Sequence, residues 1–198
     1  MSSQSSLFDD LPEPLPHGLP EGLAYEPEFL SRDEEQALIA LVRALPLHAA
    51  KYKAYTARRR VTSFGGSYDF DANKLLPAQP LVAGLEPLRA RVAQWAGVAA
   101  EDLAHVLVAE YAPGTPLGWH RDVPDHEDVF GVSLGSTAVL RLRPYPPDAP
   151  RREDIVRLRA APRSIYAIRG PARWAWQHSV APVDELRWSI TLRTPRRR

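Results

Sequence analysis

The chain has 198 residues, 44% of them hydrophobic, which suits one globular domain with or without a tail. It has no cysteine, which excludes a disulfide scaffold, a zinc ribbon, an iron–sulfur cluster and thiol catalysis. The formal charge of +1 hides an asymmetry: residues 1–30 hold six acids and no base, so the remainder carries a surplus of seven bases.

Of the 25 bases, 22 are arginine. That weighting suits recognition of phosphate or carboxylate by planar forks, and equally a GC-rich genome. No window reaches the ~18 uninterrupted apolar residues of a membrane span. The opening MSSQSSLFDDLPEPLP lacks the basic and apolar regions of a signal peptide. A cytoplasmic protein with no membrane association is expected.

Residues 1–20 are rich in Ser, Pro and acids and read as a flexible tail, leaving 21–198 as a single domain. The first helix is predicted over 31–45. Ser31 and Glu34 make a capping box there, and Leu38, Leu41, Val42 and Leu45 form one apolar stripe. The segment 51–71 fits neither helix nor strand pattern. It mixes five bases with Tyr52, Tyr55, Phe64, Tyr68 and Phe70, and places Gly65-Gly66 at a turn. Bases interleaved with aromatics can pair with phosphates and stack on nucleobases; a plain surface hairpin is the other reading.

A second helix is predicted over 81–96, with Leu85, Leu88, Val92 and Trp95 on one face and Pro87 near its start. From Leu103 the period becomes two. The runs LAHVLVAEY, DVFGVSL, TAVLRLRP, DIVRLRA, RSIYAI, HSV and RWSITLR follow, separated by Gly, Pro and Asp. Many short strands of this kind argue for a sandwich or barrel of the jelly-roll type. No βαβ rhythm, GxGxxG or P-loop motif is found. The fold class is therefore α+β, mainly β, with N-terminal helices packed on the β-structure.

Among six histidines, His120 stands apart because Asp122 follows two residues on, and on an extended segment both side chains project to the same side. His178 arrives 56 residues after Asp122 at the start of a predicted strand. Two His and one carboxylate on one face of a metal leave the other face open, as in non-haem Fe(II) oxygenases. His126 is a rival ligand, disfavoured by its spacing. In the last strand Trp188, Ile190 and Leu192 alternate with Arg187, Ser189, Thr191 and Arg193. A polar inward face with a guanidinium at each end is costly unless it meets a ligand, and Arg187 and Arg193 could clamp a dicarboxylate.

Tyr111, the HxD pair, the distal His178 and the RxSxTxR strand together resemble the AlkB family of Fe(II)- and 2-oxoglutarate-dependent dioxygenases. The resemblance covers residues 22–193 and is strongest over 106–193. It implies a double-stranded β-helix (jelly roll) and makes His120, Asp122 and His178 the iron ligands. Arg187 would pair with the distal carboxylate of the cosubstrate 2-oxoglutarate. Arg193 would lie near the chelating carboxylate, Tyr111 would hydrogen-bond the cosubstrate, and Ser189 would stand where relatives have Asn. Ala109 replaces another Asn, and Pro124 an acid.

Arg60, Phe64, Gly65 and Tyr68 fit the family's R-x3-[YF]-G-x2-Y pattern, which makes 51–71 a nucleotide-recognition lid and these four residues substrate-binding candidates. Trp176, with Trp174 just before His178, either packs around the ligand strand or faces the substrate cavity. The function implied is oxidative dealkylation of N-alkylated bases in nucleic acid, DNA ahead of RNA. O2 and 2-oxoglutarate would be converted to succinate and CO2 with release of an aldehyde, in the repair of DNA alkylation damage by a monomeric enzyme. A 2-oxoglutarate-dependent hydroxylase of a protein, lipid or small molecule is the alternative, and a non-catalytic jelly-roll binding module a third reading.

Overall fold

The chain runs through β1 (Leu23–Glu26), α1 (Arg32–Arg43), β2 (His48–Tyr52), β3 (Tyr55–Phe64), β4 (Ser67–Asp69) and β5 (Lys74–Leu76). It continues through α2 (Glu86–Ala96), β6 (His105–Tyr111), β7 (Leu117–His120), β8 (His126–Leu134), β9 (Ala138–Pro144) and β10 (Val156–Ala160). It ends with β11 (Ile165–Ile168), α3 (Gly170–Trp174), β12 (Trp176–Val180) and β13 (Arg187–Pro195). The structure is a computed structural model describing residues 18–52, 55–65, 67–69, 74–76, 79–147 and 152–196. Residues 1–17 of the expected tail lie outside the described residues.

Local chemistry accounts for both helices. Ser31 Oγ accepts from the Glu34 N–H at 3.2 Å, and the Glu34 carboxylate accepts from the Ser31 N–H at 2.7 Å, closing the capping box. The buried stripe of α1 is Glu35, Leu38, Ile39 and Val42, with Leu41 and Leu45 at its margin. Glu35 is buried because its carboxylate accepts from the Gly135 N–H at 2.9 Å, tying α1 to the sheet. The helix predicted from 81 begins only at Glu86, behind a 3-10 turn at Ala83–Leu85. Pro87 explains the delay: it has no N–H to donate to the carbonyl four residues back, so it is accommodated only in the first turn.

From β6 onward the chain passes back and forth between two antiparallel sheets, with β9 and β10 consecutive in the smaller. The larger has the order β1-β11-β8-β13-β6-β3-β2 and the smaller β10-β9-β12-β7. Strands β6 to β13 thus form the double-stranded β-helix. β2 and β3 extend its large sheet, so much of the predicted lid is sheet, and β4 pairs with β5 as a separate ribbon. β1 and α3 were not legible from the sequence: four and five residues are too short to display a period.

The large sheet is covered on both faces. Towards the helices, Val106, Val108, Phe130, Val132, Trp188, Ile190 and Leu192 pack with Leu38, Val42, Leu88 and Val92. Towards the small sheet, Tyr111, Val129, Tyr166 and Ile168 meet Leu140, Leu142, Leu158 and Val180. β13 lies in the centre, so the polar half of its alternation is turned into the interior and not into solvent: Arg187, Ser189, Thr191 and Arg193 are all buried. No helix of the described residues is long and apolar enough to cross a membrane.

Gly131 is required by a close approach. A Cβ there would stand 2.2 Å from Cζ of Tyr166, whose ring lies across it. Gly131→Ala is expected to displace that ring and destabilise the protein by ~1–3 kcal/mol, the usual cost of overpacking. Urea unfolding of the two proteins measures it.

Candidate functional site

β7 and β12 pair across a bulge. His178 faces His120 and Val180 faces Leu117, so three steps along β7 match two along β12. The extra residue lets Leu117 and His120 both face the interior and turns Trp119 outward. His120 Nδ1 lies 2.9 Å from the Gly118 carbonyl, which can only accept; Nδ1 therefore carries the proton and Nε2 is left as a ligand. The His120 and His178 rings are 4.3 Å apart. One ligand atom each of His120, Asp122 and His178 lies within 4.8 Å of the others.

Asp122 is held in place from both sides of its chain. Arg193 donates from Nε and Nη2 to Asp122 Oδ1, both at 2.7 Å. Arg173, from α3, directs Nη2 at the carbonyls of Asp122, Val123 and His126, at 3.1, 2.8 and 2.9 Å, which fastens the loop behind the ligand. Asp122 Oδ2 is buried, 3.5 Å from His178 Nε2, and has no hydrogen-bond partner among the described residues. A buried oxygen left open beside two imidazoles is what a divalent cation would satisfy.

The protonation states fit the same role. Burial alone would raise the Asp122 carboxyl, but Arg193 first, with His178, His120 and Arg173, holds it well below the usual carboxylate range. Burial pushes His178 down to about 3 and also lowers His120. Both imidazoles are therefore neutral and the carboxylate is charged, which is the ligating form of all three. His126, the rival ligand, instead stacks on His105 with ring centroids 4.8 Å apart, and His105 Nδ1 accepts from Arg193 Nη1 at 3.2 Å.

A second polar pocket lies along the same strand. Arg187 is 2% exposed. Its Nε donates to Ser133 Oγ at 3.3 Å, its guanidinium lies over the Tyr111 ring at 5.1 Å, and its Nη1 has no partner among the described residues. Tyr166 borders this pocket, and burial raises its phenol to about 12, so it stays a hydrogen-bond donor at neutral pH. Ser189 is buried between Arg187 and Arg193, in register with Ala109 on one side and Ser133 on the other. A buried cation with a free N–H and flanking hydroxyls calls for an anion, and a carboxylate matches it.

The lid candidates fall differently. Pairing of β3 with β6 sets Arg60 opposite Glu110 and Phe64 opposite Val106, on the helix side of the sheet. Arg60 Nε accordingly pairs with Glu110 at 3.0 Å, which also accepts from Trp188 Nε1 at 3.1 Å, and Phe64 is 2% exposed in the helical core. These two residues are turned away from the triad, because alternation sends the neighbouring residues inward. Val61 packs in the inner core. Arg59 opposes protonation of His120, and its Nε is buried without a partner among the described residues. Gly65 is structural: at φ +78° its Cα approaches Ala104 so closely that a Cβ would stand 1.7 Å from that carbonyl oxygen. Tyr68 lies on β4, with its side chain outside the described residues. Trp176 shares the inner face of β12 with His178 and packs against the inner core. Arg59, Tyr166 and Arg173 were missed: Arg59 is marked only by the phase of β3, which pairing with β6 sets, and nothing local marks Arg173.

The sequence profile of the 2OG-Fe(II) oxygenase superfamily matches residues 22–196, and the chain belongs to that family. Within it the chain is AlkB-like. It is 28% identical to the "Alkylated DNA repair protein ALKBH8 homolog" of Arabidopsis thaliana, over 89% of this chain and 56% of that protein. It is 27% identical to the "Probable RNA/DNA demethylase ALKBH6" of Danio rerio, over 89% of this chain and 76% of that one. A third relative, the Mus musculus "tRNA (carboxymethyluridine(34)-5-O)-methyltransferase ALKBH8", is 24% identical over 83% of this chain and 25% of its own. The chain thus spans 56% and 25% of the length of the plant and mouse relatives. The fold is that of OsALKBH1, at a TM-score of 0.69, 17% identity and 91% and 100% coverage of the two chains. It is also that of a Pseudomonas putida prolyl-4-hydroxylase, at 0.61, 16%, and 89% and 94%. The His120, Asp122 and His178 triad fits the Fe(II) site of that family, with 2-oxoglutarate as its cosubstrate.

Burial holds His105 down to about 3 and His126 to about 4, whereas both titrate near ~6.5 in an unfolded chain. Between these values the unfolded state binds more protons, so the metal-free protein should lose stability as pH falls below ~6.5. Chemical denaturation from pH 7.5 to 5 measures the loss, and His105→Asn should make it shallower.

Proposed function

We propose that this dioxygenase dealkylates N-alkylated bases in nucleic acid, with DNA alkylation damage as the leading substrate. The observation that carries the reading is the presence, in the interior between the two sheets, of an open metal triad on the small sheet and the unsatisfied guanidinium of Arg187 on the large one. His120, Asp122 and His178 would hold Fe(II). Arg187 and Tyr111 would take the distal carboxylate of 2-oxoglutarate, with Ser189 and Arg193 along its length. The metal with its cosubstrate supplies O2 activation and oxidation of a C–H bond.

The chain's own part is orientation. Arg193 fixes Asp122 by Oδ1 and leaves Oδ2 for the metal. The apolar wall of Val61, Leu117 and Trp176 lowers the dielectric around the site. Arg59, on the inner face of β3, is the lid residue best placed to meet a charged substrate. Overall, N–CH3, O2 and 2-oxoglutarate would give N–H, formaldehyde, succinate and CO2: the oxidised carbon leaves as the aldehyde once its C–N bond breaks. The names of the plant, fish and mouse relatives, which point to DNA and to RNA, support nucleic acid as the substrate class. We place the enzyme in the cytoplasm as a monomer.

The iron-loaded protein should release formaldehyde and succinate in equal amounts from 1-methyladenine or 3-methylcytosine oligonucleotides, with DNA and RNA compared side by side. Succinate without formaldehyde would redirect the substrate to a protein, lipid or small molecule. His120→Ala should abolish both products. Arg187→Met should raise the half-saturating 2-oxoglutarate concentration by about tenfold to a hundredfold, matching the ~1.5–3 kcal/mol of a charged hydrogen bond.

A further inference from the structure

The outer face of the small sheet is arginine-rich. On β9, Leu140 and Leu142 point into the inner core, so Arg141 and Arg143 point out. On β10, Arg157 lies directly opposite Arg141 in register. Across the other edge of β9, Ser179 and Gln177 of β12 face Arg141 and Arg143. The bulge that turns His120 inward throws Trp119 onto this same outer face. There the guanidinium of Arg143 lies over its ring at 4.2 Å and that of Arg141 at 5.4 Å. Arg121, between two residues of the triad, is exposed and lies over the ring of Tyr145 at 3.8 Å; Tyr145 is itself 42% exposed.

The described contacts of these arginines are with neutral groups. Arg141 Nε donates to Ser179 Oγ at 3.0 Å. The Gln177 amide, with its oxygen turned towards Arg143, accepts at 2.6 and 2.9 Å. Arg157 Nη1 donates to the Ile155 carbonyl at 3.2 Å. Like charges directly opposite each other on neighbouring strands destabilise a sheet. Neutral amides, hydroxyls and ring faces orient such guanidiniums without neutralising them, so their charge remains available to an external anion. The face spans four strands, ~14 Å at ~4.8 Å spacing, and reaches the segment that carries His120 and Asp122. Its charge is spread as a band and not gathered at one point, which fits a polyanion better than a single small anion.

We propose that the outer face of the small sheet, from Arg157 through Arg141, Arg143 and Trp119 to Arg121 and Tyr145, is a tracking surface for the sugar–phosphate backbone of a single-stranded nucleic acid. This rests on the nucleic-acid reading above and adds the path of the strand outside the metal site. Planar forks suit phosphate oxygens, and the exposed Tyr145 ring offers a base a stacking surface beside the triad.

The test is fluorescence anisotropy of the full chain with an unmodified single-stranded oligonucleotide, titrated from ~50 to 200 mM salt. The double variant Arg143→Gln, Arg157→Gln should bind about tenfold more weakly at low salt, with a slope of log K against log salt shallower by ~0.7 for each phosphate no longer neutralised. Arg143→Lys should keep the slope. Turnover of 2-oxoglutarate in the absence of oligonucleotide should be unchanged in both, which controls for folding and for the metal site. If the wild type dealkylates oligonucleotides and the double variant binds them with an unchanged slope, the surface is overturned and the function stands. If the double variant loses binding of polyglutamate but not of the oligonucleotide, the face is a protein-docking surface and the proposal fails. If the wild type neither binds nor dealkylates the oligonucleotide, the substrate reading itself fails and takes this surface with it.

Discussion

The bond between Arg193 and Asp122 is the contact on which the site depends. Asp122 is almost wholly removed from water, where a carboxylate without a partner would take up a proton and cease to be a ligand. Two N–H donors of Arg193 on Oδ1 keep it charged and fix its plane, so that only Oδ2 is left open. Breaking one side of such a pair leaves an uncompensated charge in the interior. The contact also joins the final strand to the loop after β7, 71 residues apart in the chain. Ligand geometry is therefore hostage to completion of the large sheet.

Two further devices serve that contact. Arg173 gathers three carbonyls of one loop, which would otherwise be poorly satisfied around a buried turn, and so limits where Asp122 can stand. The bulge between β7 and β12 corrects the phase of His120. Without it, Leu117 and His120 would face opposite sides of the small sheet. The same bulge decides what lies on the outer face, because it pushes Trp119 under the arginines of β9. The inward His120 and the outward Trp119 are two consequences of one inserted residue.

β13 shows how a sheet buried on both faces can remain strictly alternating in sequence. Its apolar residues meet the helices and its polar residues meet the interior, where Arg187 and Arg193 stand six residues and roughly 20 Å apart along the strand. The distance separates two tasks: one guanidinium is spent on the metal ligand, and the other is left unsatisfied over Tyr111. An arginine buried with a free N–H destabilises the resting fold, and a carboxylate bound there would relieve it.

By itself, the sequence determined the elements whose physics is local. The capping box at Ser31, the strands after Leu103 with their period of two, the two-residue spacing of His120 and Asp122 and the split faces of β13 all follow from neighbours a few residues apart. The distal His178 and the class of chemistry followed from the order of these motifs. Tertiary structure alone decided the phase of β3, which turns Arg60 and Phe64 to the helix side and leaves Arg59 inside, because phase is set by pairing with β6 and not by composition. It alone brought Arg173 to the ligand loop, Tyr166 across Gly131, and His105 against Arg193, contacts that cross from 35 to 88 residues of chain. Side-chain types and periods are written in the chain; which face, and against what, is fixed only when the strands pair.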